Sequence, residues 1–127
     1  MDRRTEVSSG SPWEGLVGYS RAVRVGDRIE VSGTTAMAGD QVVAEGDPYA
    51  QTMRALEIIG QALAELGAKP SQVVRTRLFV TDIAHWQEIG QAHAQFFRGT
   101  RPATTMVQVS ALIDPRLLVE IEATAVC

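Results

Sequence analysis

Two β-forming runs that share a period of two, Ala103–Ser110 and Leu117–Val126, constrain this chain more than anything else in it. In the second run Val119, Ile121, Ala123 and Ala125 alternate with Leu118, Glu120, Glu122 and Thr124. In the first, Ala103, Thr105, Val107 and Val109 alternate with Thr104, Met106, Gln108 and Ser110. Side chains alternate across a strand, so each run has one apolar side and one mixed side. With Leu112-Ile113-Asp114-Pro115 as the turn, the pair reads as an antiparallel hairpin whose apolar face meets the core. The mixed face sets glutamates beside Met106 and Leu118. Such a face suits a wall shared with another subunit and lined by a few polar groups.

The strongest local signal is a helix from Pro48 to Leu66. Asp47 stands at the N-cap, Pro48 at the first helical position, and Gly67 follows as the left-handed stop. Met53, Leu56, Ile59, Leu63 and Leu66 recur at helical spacing and form one apolar stripe. Gly60 costs the helix about 1 kcal/mol relative to alanine, and its missing side chain suggests a close approach to the sheet.

Around that helix the chain reads in order. Residues 1–17 are polar and contain Ser8-Ser9-Gly10-Ser11-Pro12, the composition of a flexible arm that Trp13 tacks down. A single domain, residues 18–127, follows. Tyr19–Val25 and Arg28–Ser32 form a hairpin about Gly26-Asp27, and Gln41–Glu45 is a short edge strand. Val73–Thr81 is a strand with Val74, Thr76, Leu78 and Val80 on one face and Val73, Arg75, Arg77 and Phe79 on the other. Asp82 caps a second helix, Ile83–Phe97, with Ile83, Trp86, Ile89, His93 and Phe97 near one side. The order β-β-(β)-α-β-α-β-β gives an α+β class with a mixed sheet and two helices packed on one face.

Composition narrows the function. The chain has 127 residues, enough for one core, and a formal net charge of −3, which is no footprint for nucleic acid. No apolar run approaches the roughly 20 residues that span a bilayer, and the N-terminus lacks a secretory h-region. A cytoplasmic protein without membrane or nucleic-acid partners is the expectation. One cysteine, Cys127, excludes an intrachain disulfide. His85 and His93 are not at metal-binding spacing, and the chain holds no P-loop and no GxGxxG fingerprint, so neither a metal nor a cofactor is expected.

Several dispersed motifs resemble those of the RidA/YjgF family, in the right order. They are Gly18-Tyr19-Ser20-x-Ala22-Val23-x-Val25-Gly26, Val31-Ser32-Gly33, Phe79-Val80-Thr81-Asp82, Phe96-Phe97, Pro102-Ala103, and Val119-Glu120-Ile121-Glu122-Ala123-x-Ala125-Val126. The resemblance implies a chorismate-mutase-like fold, a homotrimer, and small-molecule pockets between subunits. By motif match it implies ligand-binding roles for Tyr19, Ser32, Gly33, Thr104 and Met106, and a catalytic role for Glu120, orienting the water that attacks an imine carbon. The departures are as informative. Deaminases of the family carry an arginine after Pro-Ala that grips the substrate carboxylate, and this chain has Thr104 there. Thr34, Met106 and Gly90 replace a frequent glutamine, cysteine and asparagine.

Each site residue has a plainer reading beside the functional one. Glu120 either orients water or pairs with an arginine. Tyr19 either meets a ligand or packs its ring. Arg77, placed by alternation on one face with Thr104 and Glu120, either holds an anion or pairs with Glu120 or Glu122. Two functions follow: a trimeric binder of a small metabolite that does not deaminate amino-acid imines, or an enamine/imine hydrolase with a different substrate. RNA cleavage, also attached to the family, fits an acidic chain without a basic stripe least well.

Overall fold

The computed structural model describes residues 3–127. Its main sheet has six strands in the order β1-β2-β3-β8-β6-β7. These are β1 (Arg4–Val7), β2 (Ala22–Val25), β3 (Arg28–Thr34), β6 (Val73–Val80), β7 (Ala103–Gln108) and β8 (Val119–Val126). A separate two-stranded ribbon joins β4 (Met37–Ala38) to β5 (Gln41–Val42). Every pairing in the main sheet is antiparallel except β6 with β7. The helices α2 (Pro48–Glu65) and α3 (Trp86–Phe96) share one face of the sheet, as the α+β reading requires.

The core lies between that face and α2. Ile29 and Val31 of β3, Leu78 and Val80 of β6, and Val119, Ile121, Ala123 and Ala125 of β8 meet Leu56, Ile59 and Leu63 of α2, all at 3% exposure or less. The α2 start is as read: the Asp47 carboxylate accepts from the Ala50 N–H, and Pro48 opens the helix. Gly67 stands at φ +81°, the left-handed conformation that lets the chain turn away. Gly60, however, makes room for a helix rather than the sheet. A Cβ there would lie 3.3 Å from the Phe96 ring of α3.

The proposed C-terminal hairpin does not form. β6 lies between β7 and β8, pairing parallel with the first and antiparallel with the second. A β6–α3–β7 crossover returns the chain parallel to β6, and residues 109–118 then carry it over to β8. The β8 alternation is as read. The β7 alternation is reversed: Thr104 and Met106 stand opposite Thr76 and Leu78 on the helix side, while Thr105 and Val107 stand opposite Arg77 and Phe79 on the open side. β7 is an edge strand largely beyond the cover of the helices, so its pattern is weak and register decides. A bulge between Val73 and Arg75 likewise buries Val73 and exposes Val74, against simple alternation.

Two further readings change. The stretch expected as an arm is built into the fold, apart from its first two residues, which lie outside the described residues. β1 pairs with β2, and α1 (Pro12–Val17) starts at a Ser11 cap. Trp13 stays largely exposed, and the polar Glu14 is the α1 residue that is buried. The second helix begins as a 3-10 turn, Ile83–His85, capped by Asp82. Only Ile89, His93 and Phe97 of its expected stripe turn inward, while Ile83 and Trp86 face out. Among the described residues, no helix is long and apolar enough to cross a membrane.

Candidate functional site

The two ends of β3 behave differently. Its pairing with β8 is regular from Arg28 to Val31 and then shifts before Thr34. Ser32 and Gly33 occupy that irregularity, and Gly33 faces Glu120 of β8. A Cβ on Gly33 would lie 2.7 Å from Glu120 Oε2. Its φ lies outside the left-handed region, so space for the carboxylate, rather than backbone freedom, is why glycine is needed.

This carboxylate borders a cavity of about 880 Å³ whose walls include Tyr19, Arg21, Ser32, Gly33, Arg54 and Glu120. Burial, and then the neighbouring charge of Glu122, push the Glu120 pKa up, while Arg21 pulls it down. A carboxyl held this way sits nearer the pH at which it can give and take a proton. Of the charged side chains around the cavity, Asp40, Glu65, Asp114, Glu120 and Glu122 outnumber Arg21 and Arg54. Asp114 is already engaged by Arg116, which holds its pKa down at about 2 through hydrogen bonds.

Arg21 is the residue that sequence reading missed. It is 5% exposed. Its Nη1 donates to the Gly33 carbonyl at 2.7 Å and to Thr34 Oγ1 at 2.7 Å, with the Ser32 carbonyl at 3.5 Å. Its Nε lies 3.9 Å from the buried Glu14 carboxylate of α1, too far for a hydrogen bond. Its guanidinium carbon stands 5.4 Å from the Tyr19 ring centroid, within cation–π range. In the sequence Arg21 fills an unspecified position of the Gly18–Gly26 motif, and an arginine between a serine and an alanine reads as surface. Gln51 escaped notice too. Buried in α2, it donates to the Val43 and Arg116 carbonyls and accepts from the Leu118 N–H, fixing the chain that enters β8.

Tyr19, Ser32, Gly33 and Glu120 therefore converge, while the other candidate residues do not. Thr104 and Met106 lie on the helix side of β7. Met106 packs half-buried against the core. Thr104 belongs to a hydroxyl chain: His93 Nε2 is 2.8 Å from Thr76 Oγ1, which is 2.7 Å from Thr104 Oγ1, which donates to the Pro102 carbonyl at 3.0 Å. One proton direction satisfies all three contacts, with His93 donating from Nε2 and each hydroxyl passing its own hydrogen onward. Burial lowers the His93 pKa, so the ring is neutral at pH 7.

Arg77 shares the open face with Glu120, as read, but not with Thr104. It reaches Glu122 at 3.8 Å, both side chains more than two-fifths exposed. A smaller cavity of about 420 Å³ lies there, with Tyr19 and Ser32 on its wall beside Arg77 and Glu122. Among the described residues, no three His, Cys, Asp or Glu side chains gather in a way that would hold a metal ion.

Residues 11–127 match the family model described as Endoribonuclease L-PSP. The fold is similar to that of Rv2704 from Mycobacterium tuberculosis, a member of the YjgF/YER057c/UK114 family. The two are 53% identical with a TM-score of 0.90, over 98% of this chain and 100% of the other. An uncharacterised protein of Streptomyces coelicolor is 44% identical over 94% of this chain and 89% of its own length. A RutC family protein of Pyrococcus abyssi is 32% identical over 84% of each.

Proposed function

The chain belongs to the RidA/YjgF family, that of the Endoribonuclease L-PSP model, and on that premise we propose that it binds a small metabolite lacking a carboxylate beside Glu120. The observation that carries this reading is the Glu120 carboxylate lodged against Gly33 in a cavity where acidic side chains outnumber basic ones. An anionic ligand meets net repulsion there, and position 104, which holds Thr104 on the helix side of β7, supplies no bidentate cation to that cavity. Deamination of amino-acid-derived imines is therefore not the activity we assign. The test generates 2-aminoacrylate in a coupled assay and follows 2-oxo-acid release. No acceleration over the uncatalysed reaction is expected; turnover equal to that of an arginine-bearing relative would refute the reading.

A second reading, an enamine or imine hydrolase for a neutral or cationic substrate, is favoured by the raised Glu120 pKa. Its proton-accepting form would align a water for attack on the imine carbon. Turnover of a carboxylate-free imine that disappears in Glu120→Ala would establish it, whereas tight binding without turnover would leave the binder. RNA cleavage, the activity in the name of the matched model, ranks last, because an acidic chain and cavity repel phosphate.

The assembly we infer is a homotrimer. Phe79 half-buried and Val107 42% exposed on the open sheet face support an interface; the number three comes from the family. Sedimentation equilibrium should return three times the chain mass of 13.7 kDa. A monomer at micromolar concentration would remove both the trimer and any pocket between subunits.

A further inference from the structure

We infer that Arg21 is the positioning residue of the Glu120 site: it clamps the irregular end of β3 so that Gly33 faces the carboxylate, and ties that clamp to α1 through Glu14. This rests on the reading of Glu120 as the functional carboxylate.

Stability alone does not account for Arg21. Burying a guanidinium is costly unless every N–H is satisfied, and an apolar replacement is often as stable. Here Nε is the one side-chain polar atom, among the described residues, that is buried without a hydrogen-bond partner. The side chain is nevertheless kept between the irregular end of β3, the Tyr19 ring and the Glu120 cavity. Its Nη1 grips the Gly33 carbonyl and the Thr34 hydroxyl, which itself donates to the Ser32 carbonyl at 2.8 Å. Those contacts fix the two peptides flanking Gly33. The same guanidinium stands on the Tyr19 ring and forms part of the cavity wall with Glu120.

Glu14 completes the device from the other side. Burial pushes the pKa of its carboxyl up, but hydrogen bonds from Ser9 and Ser8 and the charge of Arg21 outweigh this and leave it lowered. It is therefore ionised at neutral pH and holds the Nε side of Arg21 through charge alone. Serines 8 and 9 and α1 then form the outer wall of the cavity. The N-terminal segment, which lines the same cavity as Glu120, is in this way coupled to that carboxylate.

The charges that act on Glu120 are Glu122 from β8 and Arg21 at the entry to β2; Arg77 from β6 engages Glu122, Glu14 lies behind Arg21, and Asp40, Arg54, Glu65 and Asp114 stand elsewhere around the cavity. Only Arg21 both pulls the Glu120 pKa down and contacts the backbone facing it. The experiment follows the Glu120 side-chain carboxyl by carbon-13 NMR against pH, with the Gly33 and Thr34 amides as reporters. Arg21→Gln should raise the Glu120 midpoint and shift both amides. Arg21→Lys keeps the charge and loses the fork, so both amides should shift while the midpoint stays nearer the parent. Should Arg21→Gln not fold, Arg21→Lys decides. In the parent protein the Arg21 guanidinium hydrogens should also exchange slowly with solvent.

An unchanged Glu120 midpoint with unmoved Gly33 and Thr34 amides, or guanidinium hydrogens that exchange freely, overturns the proposal. Neither readout requires a substrate. Failure of every imine and metabolite assay would sink the Glu120 reading while leaving intact any Arg21–Glu120 coupling that the titration detects.

Discussion

β7 and β8 look interchangeable as sequence, and the structure treats them in opposite ways. Both alternate with a period of two. β8 has a strand on either side and α2 across its inner face, and its four inward residues are at most 2% exposed. β7 has one neighbour, parallel β6, and only Met106 among its side chains approaches the core. Alternation alone does not say which set faces inward. Burial decides for β8, because setting Glu120 and Glu122 inward would desolvate two carboxylates. For β7 the two sets, Ala-Thr-Val and Thr-Met-Gln, differ little in polarity, so the register imposed by β6 decides instead.

The sharpest way to break that comparison is to truncate one side chain from each strand. Ile121→Ala in β8 should lose about 2–5 kcal/mol, the usual cost of a large side chain removed from a packed core. Val107→Ala in β7, on the open face, should lose about 0.5 kcal/mol in the isolated chain. Urea denaturation at one fixed protein concentration measures both, since assembly would make the result concentration-dependent. Equal losses would mean that β7 is as deeply packed as β8, and the distinction would fall.

The seam between β6 and β7 gives the next largest effect. Thr76 is fully buried and touches both His93 and Thr104, whereas Thr104 is exposed. Thr76→Val removes the near partner of the half-buried His93 ring nitrogen, leaving it only Thr104 Oγ1 at 3.5 Å, and should cost about 1–3 kcal/mol. Thr104→Val should cost under about 1 kcal/mol, because water can take up the lost contacts. If the order is reversed, the hydroxyl chain is not anchored at Thr76.

How much of this was legible depends on how far each signal was local. Asp47, Pro48 and Gly67 act on their own helix, so the bounds of α2 were readable. Convergence of Tyr19, Ser32, Gly33 and Glu120 was readable only through the family motifs, since no local pattern joins residues a hundred positions apart. The reversal of β7, the bulge at Val74 and the insertion of β6 between β7 and β8 arise from long-range pairing. Arg21 was illegible for another reason. Its burial depends on carbonyls at a strand irregularity and on a carboxylate in α1, and the sequence gives no hint of either.

Glu120 offers a smaller effect with a definite sign. Its folded pKa is raised, first by burial and then by Glu122. A carboxyl of this kind contributes stability below its unfolded pKa of about 4.3 and loses that contribution as pH rises through the folded value. Glu120→Gln should therefore be more stable than the parent at neutral pH, with the gap closing by about pH 3. Thermal unfolding across that range is the measurement. A variant less stable than the parent at neutral pH would mean that the carboxylate has a favourable partner and that its pKa is not raised.

The smallest expected effect belongs to Arg77, and it bears on whether the open face stays open. In the single chain the Arg77–Glu122 contact is 3.8 Å long and both side chains are more than two-fifths exposed. A pair so wetted and so loosely spaced contributes no more than about 1 kcal/mol and weakens with salt. The cost of about 3–5 kcal/mol that follows from breaking a buried pair does not apply to it. Coverage by a second subunit would change this, because removing water from the same two charges strengthens their attraction and raises the penalty for leaving one alone. A double-mutant cycle on Arg77→Ala and Glu122→Ala, run at low and high salt, separates the two states. Coupling within about 1 kcal/mol that fades with salt describes an open face. Coupling well above that and insensitive to salt would mean that the face bearing Arg77, Phe79 and Val107 is covered in solution, and the contrast between β7 and β8 would then hold only within one chain.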